Sequence, residues 1–170
     1  MRNEKSKCMN EKCLFLFGVL FLLLSACTSI DCPVQNLVYT VYRVYDGEQP
    51  DTLGDTLTVK TLRANGKDTI LLNHAVRQTV FELPVSYQRP VDTLVFCFSD
   101  TLGVKTFDTV WVKKQDIPHF ESVDCSANFF HELEAVRSTH QRIDTITINR
   151  TSVDYDLSVA HFLIRFKARP

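Results

Sequence analysis

The chain has 170 residues, with 19 Lys and Arg against 20 Asp and Glu and a formal net charge of −1 at neutral pH. No basic stripe is available to displace counterions from phosphates, so nucleic acid is excluded as a partner class. The length suits one compact domain with its own core and is too short to favour two.

The first stretch carries Arg2, Lys5, Lys7 and Lys12 against Glu4 and Glu11, a net positive start that holds an N-terminus on the cytoplasmic side. An apolar run from Leu14 to Leu24 follows. As a helix it covers only about 16 Å, roughly half the hydrocarbon thickness, which suits a signal peptide and is too short for a membrane span. Leu24-Ser25-Ala26-Cys27 then forms a lipobox. Cleavage between Ala26 and Cys27 is expected, with a diacylglycerol on the Cys27 thiol and an acyl chain on its new amino group. These covalent lipids are the only non-protein groups expected. Two or three acyl chains hold permanently where one binds reversibly. The expected organisation is a lipoprotein signal peptide over 1–26, a short lipidated tether over 27–36 and a β-sandwich domain over 37–170. Losing the leader leaves fifteen Lys and Arg against eighteen Asp and Glu in the mature chain. Asp31 is the only acid directly after Cys27, so no acidic surface-export run is visible. The expected address is the cell envelope, at the outer membrane facing the periplasm, with surface exposure as the alternative.

Cys8 and Cys13 depart with the leader and Cys27 takes lipid, so Cys32, Cys97 and Cys125 remain. In an oxidising compartment two of the three can pair. Cys32 with Cys125 is the favoured candidate, because each lies in a polar segment outside a strand core. Cys97, within Leu94-Val95-Phe96-Cys97-Phe98, is expected as a small buried hydrophobe.

The rest of the chain reads as strand, from its alternating apolar residues and its β-branched and aromatic content. Strands are predicted at 37–45 and at 56–63, the latter with Leu57 and Val59 on one face and Thr56, Thr58 and Lys60 on the other. Asn65-Gly66 predicts a type I′ hairpin turn, with a return strand at 69–72. Further strands are predicted at 79–83, 93–99, 104–113, 119–123, 129–135, 142–149 and 159–167. In the last, Phe162, Ile164 and Phe166 are expected inward and His161, Arg165 and Lys167 outward. Phe129, Phe130, Leu133 and Val136 also fit a helical stripe capped by Ser126 or Asn128, but strand is preferred because β-type alternation continues beyond Thr139. Short strands separated by turn residues give the fold class: all-β, a single β-sandwich of immunoglobulin-like layout.

Asp-Thr recurs at Asp51, Asp55, Asp68, Asp92, Asp100, Asp108 and Asp144. The spacing is too irregular for calcium loops and reads as turn-and-strand punctuation. No catalytic residue set is expected, since the nucleophile-elbow, two-histidine zinc and phosphate-loop motifs are absent. No metal ligand is expected among His74, His119, His131, His140 and His161, which lack ligand spacing. Trp111, between Val110 and Val112, reads as core more readily than as a sugar-stacking platform.

Cys27 and Cys32, Glu82-Leu83-Pro84, the Asp-Thr-aliphatic strands, Asp124-Cys125 and Phe162-Leu163-Ile164-Arg165-Phe166 together carry a resemblance. The chain resembles the short uncharacterised lipoproteins of the Bacteroidetes classed as domain of unknown function 6452. The resemblance covers nearly the whole mature chain and implies location and lineage, with no activity attached. A glycine often follows the family cysteine matching Cys125, where this chain has Ser126. The leading expectation is a non-enzymatic binding or structural module with an envelope protein partner, held to the membrane through its lipid. The alternatives are a surface glycan-binding lipoprotein and an envelope hydrolase whose site is assembled only by folding.

Overall fold

The computed structural model describes Cys32, residues 37–62 and residues 66–168. The lipobox, with Ala26 and Cys27, lies outside the described residues, as does Asn65. No helix occurs among the described residues. Eleven strands follow in order: β1 (Tyr39–Asp46), β2 (Gln49–Pro50), β3 (Thr56–Leu62), β4 (Asp68–Ala75), β5 (Val80–Pro84), β6 (Val91–Ser99), β7 (Lys105–His119), β8 (Asn128–Ser138), β9 (Ile143–Ile148), β10 (Ser152–Val153) and β11 (Phe162–Phe166).

They form two stacked sheets, the all-β sandwich that alternation predicts. The larger runs β10-β8-β7-β6-β3-β4 and is antiparallel throughout. The smaller runs β2-β1-β11-β9, with β5 also on β1. Its β1 and β11 pair in parallel, Tyr42 opposite Phe162, so two strands far apart in sequence lie side by side. Between the sheets Tyr42 is stacked by Phe81 at 5.0 Å and Phe162 at 4.7 Å, while Phe96 of the opposing sheet meets it edge-on at 6.1 Å. Leu57, Val59, Phe98, Val110, Ile143 and Ile164, all fully buried, complete the contact. Each such side chain contributes about 1.5–3 kcal/mol on leaving water, which makes this seam the dominant source of stability.

Several details depart from the sequence expectations. The β3–β4 ladder ends at Leu62 opposite Asp68, further back than a two-residue turn at Asn65-Gly66 would allow, although Gly66 does take a positive φ of 73°. The separate strand expected over 119–123 is absent; β7 continues to His119 and the chain then turns, with Ser122 O accepting from Cys125 N at 3.2 Å. His161 is fully buried rather than outward, because its Nδ1 accepts the Val41 amide at 3.0 Å and its backbone amide donates to Val41 O at 2.9 Å. The helix-or-strand ambiguity at 129–136 resolves as strand. On β8 the register slips against Lys113 and Lys114, leaving Glu134 and Ala135 both exposed. One extra residue flips the inward parity, so that Leu133 and Val136 face the core three positions apart, which imitates helical spacing.

Candidate functional site

The same bulge aims a charged cluster inward. On β7 the inward series Val110, Val112 and Lys114 leads to Asp116, and on β8 the shifted parity turns His131 toward them. Lys114 Nζ donates to Asp116 Oδ1 at 2.7 Å and to the Arg89 carbonyl at 2.9 Å, and its backbone amide donates to Pro90 O at 2.9 Å. His131 Nδ1 meets the same Asp116 oxygen at 2.7 Å. The His131 pKa is lowered, chiefly by burial and also by the nearby Lys114 charge, against the opposing pull of Asp116. In the neutral ring, Nδ1–H donates to the Asp116 carboxylate. Burial likewise raises the pKa of neighbouring Asp92, although the Ser86 amide and Lys114 partly offset it.

Beside this cluster lies a surface cavity of about 350 Å³, lined by Tyr87 to Pro90, Lys113 to Asp116 and Glu134. Two members of the cluster are closed off from solvent there. Lys114 has no exposed side-chain surface and His131 only 1%, while Asp116 shows 23%. With its ammonium shared between a carbonyl and a carboxylate, Lys114 ties the connection from β5 to β6 onto the long hairpin. The cluster is a clamp.

Asp108 is a second buried hub. Oδ1 accepts from Thr139 Oγ1 at 2.7 Å and Gln141 N at 2.6 Å, and Oδ2 from the amides of Arg142 and Ile143, both at 2.7 Å. Burial alone would raise its pKa, but the four donors outweigh that and hold it below the ordinary carboxylate value. Through them β7 of the larger sheet fixes the segment that crosses to β9 of the smaller. Asp55, also buried, holds Arg142 Nε at 2.7 Å in the same corner. Two of the aspartates read as punctuation are thus interior anchors, whereas Asp100 does serve its turn by accepting the Leu102 and Val104 amides.

The outer face of the larger sheet carries the residues expected to be internal. Trp111 and Cys97 are half-buried on that face and are not core residues, because each sits between two inward neighbours on its strand. The Arg137 guanidinium lies 4.4 Å from the Trp111 ring centroid, and the two border a shallow groove of about 280 Å³ with Val91, Lys113, Ala135 and Val136. One indole face is therefore already occupied. Cys32 and Cys125 are both disulfide-bonded and Cys97 is a free thiol. Among the described residues no group of three or more His, Cys, Asp or Glu is placed to hold a metal ion.

At the far end of β7 aromatic residues gather on the β7–β8 hairpin. His119 stacks on Phe130 at 4.2 Å, Tyr155 meets Phe130 edge-on at 5.0 Å, and Asn128 Nδ2 donates to the Tyr155 hydroxyl at 2.7 Å. Tyr87 stacks on Phe129 at 5.3 Å. Beyond this base Phe120 and Val123 are 63% and 97% exposed.

The profile of a family of unknown function (DUF6452) matches residues 56–166. The chain belongs to that family. The match runs from the start of β3 to the end of β11 and excludes β1, the strand that pairs with β11 and β5 in the smaller sheet. The folded unit is therefore larger than the matched region. No curated protein and no solved structure matches the chain significantly.

Proposed function

We propose that this family member is a lipid-anchored module of the cell envelope that binds or braces another envelope protein and performs no chemistry of its own. The lipobox ending at Cys27 supports the anchor, and the proposed address is the outer membrane facing the periplasm. The observation that carries the binding role is β4. This eight-residue strand ends the larger sheet, with β3 on one side and no strand on the other among the described residues. Its outer edge offers unpaired backbone donors and acceptors to a partner strand. Ile70 there is 52% exposed, and Thr56, Thr58 and Lys60 on adjoining β3 add polar contacts.

The locked charge cluster favours a binding role over hydrolysis, since the Lys114 ammonium and the His131 ring are buried and both already engage Asp116. Glycan capture draws on Trp111 at the surface, where Arg137 already covers one face of the ring. A photo-crosslinking residue placed at Ile70 in intact cells should capture one defined envelope protein, and one at Thr145 on the smaller sheet should not. Equal capture at both positions, or none at either, contradicts strand-edge docking.

A further inference from the structure

We infer that the tip of the β7–β8 hairpin rests on the membrane, with Phe120 and Val123 inserted at the headgroup level of a zwitterionic phospholipid bilayer. The inference rests on the lipid anchor proposed above and on Cys32 and Cys125, the two disulfide-bonded cysteines, being bonded to each other.

Cys27 precedes Cys32 by five positions, so an extended tether spans at most about 18 Å, and a disulfide adds about 6 Å between Cα atoms. Cys125 is therefore confined to roughly 24 Å from the lipid-bearing residue, less than the thickness of a bilayer's hydrocarbon core. The loop that holds Cys125 also holds Phe120 and Val123. Val123 occupies a turn from Ser122 to Cys125, a position where Pro, Asp or Ser is favoured and a β-branched apolar residue gains nothing from turn chemistry. Its near-complete exposure is explained by a surface that covers it. Behind it, Tyr155, Phe130 and His119 form a packed aromatic base, the amphipathic composition that suits a membrane–water boundary.

Among the described residues, the next most exposed large apolar side chain after Val123 lacks this link. Leu102, 87% exposed, precedes the start of β7, and fifteen strand residues separate that end from the tip by about 46 Å. Charge selects the lipid class. Glu121 and Asp124 adjoin Phe120 and Val123 in the chain, Asp154 and Asp156 flank Tyr155 of the aromatic base, and Arg150 is already paired with both of the latter. An acidic rim repels anionic headgroups, so apolar contact with neutral lipid drives the docking.

The test uses the lipidated full chain in phosphatidylcholine vesicles, comparing Val123→Trp and Leu102→Trp with the parent, whose Trp111 sets the baseline. Brominated lipid should quench Val123→Trp at least several-fold more than the parent, with blue-shifted emission, and should leave Leu102→Trp at baseline. An unquenched Val123→Trp on protein that stays vesicle-bound overturns the docking and leaves the anchor standing. Protein that does not bind vesicles at all removes the anchor as well. A blue shift without bromolipid quenching indicates a protein occupant, such as a second copy, and overturns the membrane assignment; quenching that requires anionic lipid overturns it too.

Discussion

Replacing Asp108 tests whether one carboxylate secures the passage between the sheets. Asp108→Ala strips the acceptor from one hydroxyl and three backbone amides, all within 2.7 Å of a residue with no exposed surface. A hydrogen bond to a charged group contributes about 1.5–3 kcal/mol, but the four are not additive and water entering the void recovers part of the loss. A net cost of about 3–5 kcal/mol follows, a large share of the 5–15 kcal/mol typical of a domain. With a urea dependence of about 2 kcal/mol per molar, the unfolding midpoint should fall by roughly 2 M. Asp108→Asn should fall between, since its NH2 group confronts donors where the carboxylate offered an acceptor. Asp51→Ala, which removes one exposed turn bond to Thr52, should stay within about 0.5 kcal/mol of the parent. Because the folded pKa is depressed, the stabilisation is complete above the unfolded value near 3.9 and is lost as pH falls through the folded one. The gap between parent and Asp108→Asn should therefore close below about pH 4. A midpoint within 0.5 M of the parent for Asp108→Ala, or a gap unchanged between pH 7 and pH 3, would refute this reasoning.

His131 and His161, both buried with lowered pKa values, bind protons more readily once unfolded. Their stabilisation is complete above the unfolded pKa near 6.5 and declines below it, so urea midpoints should drop between pH 6.5 and 5 in the parent. His131→Gln should flatten part of that slope; an unchanged slope speaks against His131 as a contributor. Arg137→Ala should uncover the indole, red-shifting tryptophan emission at a stability cost of about 0.5–1 kcal/mol. Emission identical to the parent would deny the stacking in solution. Peptide mapping without reductant should recover Cys32 joined to Cys125 and Cys97 alkylated as a free thiol, whereas a linked Cys97 contradicts the assignment.

Strict alternation made much of the sandwich legible. Leu57 and Val59 are buried where a period of two places them, and Phe162 and Ile164 likewise. Lys114 was missed because the strand was expected to end at Lys113 and its charge argues against burial, until Asp116 and the Arg89 carbonyl are seen beside it. The bulge at Glu134 and Ala135 was illegible because one inserted residue mimics a helical spacing, and His131 faces inward only through it. Trp111 and Cys97 were misplaced because hydrophobic neighbours on both sides hide which parity points outward. His161 was misplaced for another reason. Its burial depends on the Val41 amide, supplied by a strand 120 positions away. The exposed tip at Phe120 and Val123 looked like a strand because its apolar residues carry β propensity, whereas the fold turns there.

Membrane attachment through Cys27 is the claim on which the proposed role and the docked tip both depend. Phase partitioning with a mild detergent, read together with precursor size, tests it in one preparation. The parent should lose residues 1–26 and enter the detergent phase, while Cys27→Ala should retain the leader and lose the lipid-dependent gain in detergent partitioning. Unchanged processing and unchanged partitioning in Cys27→Ala would contradict it.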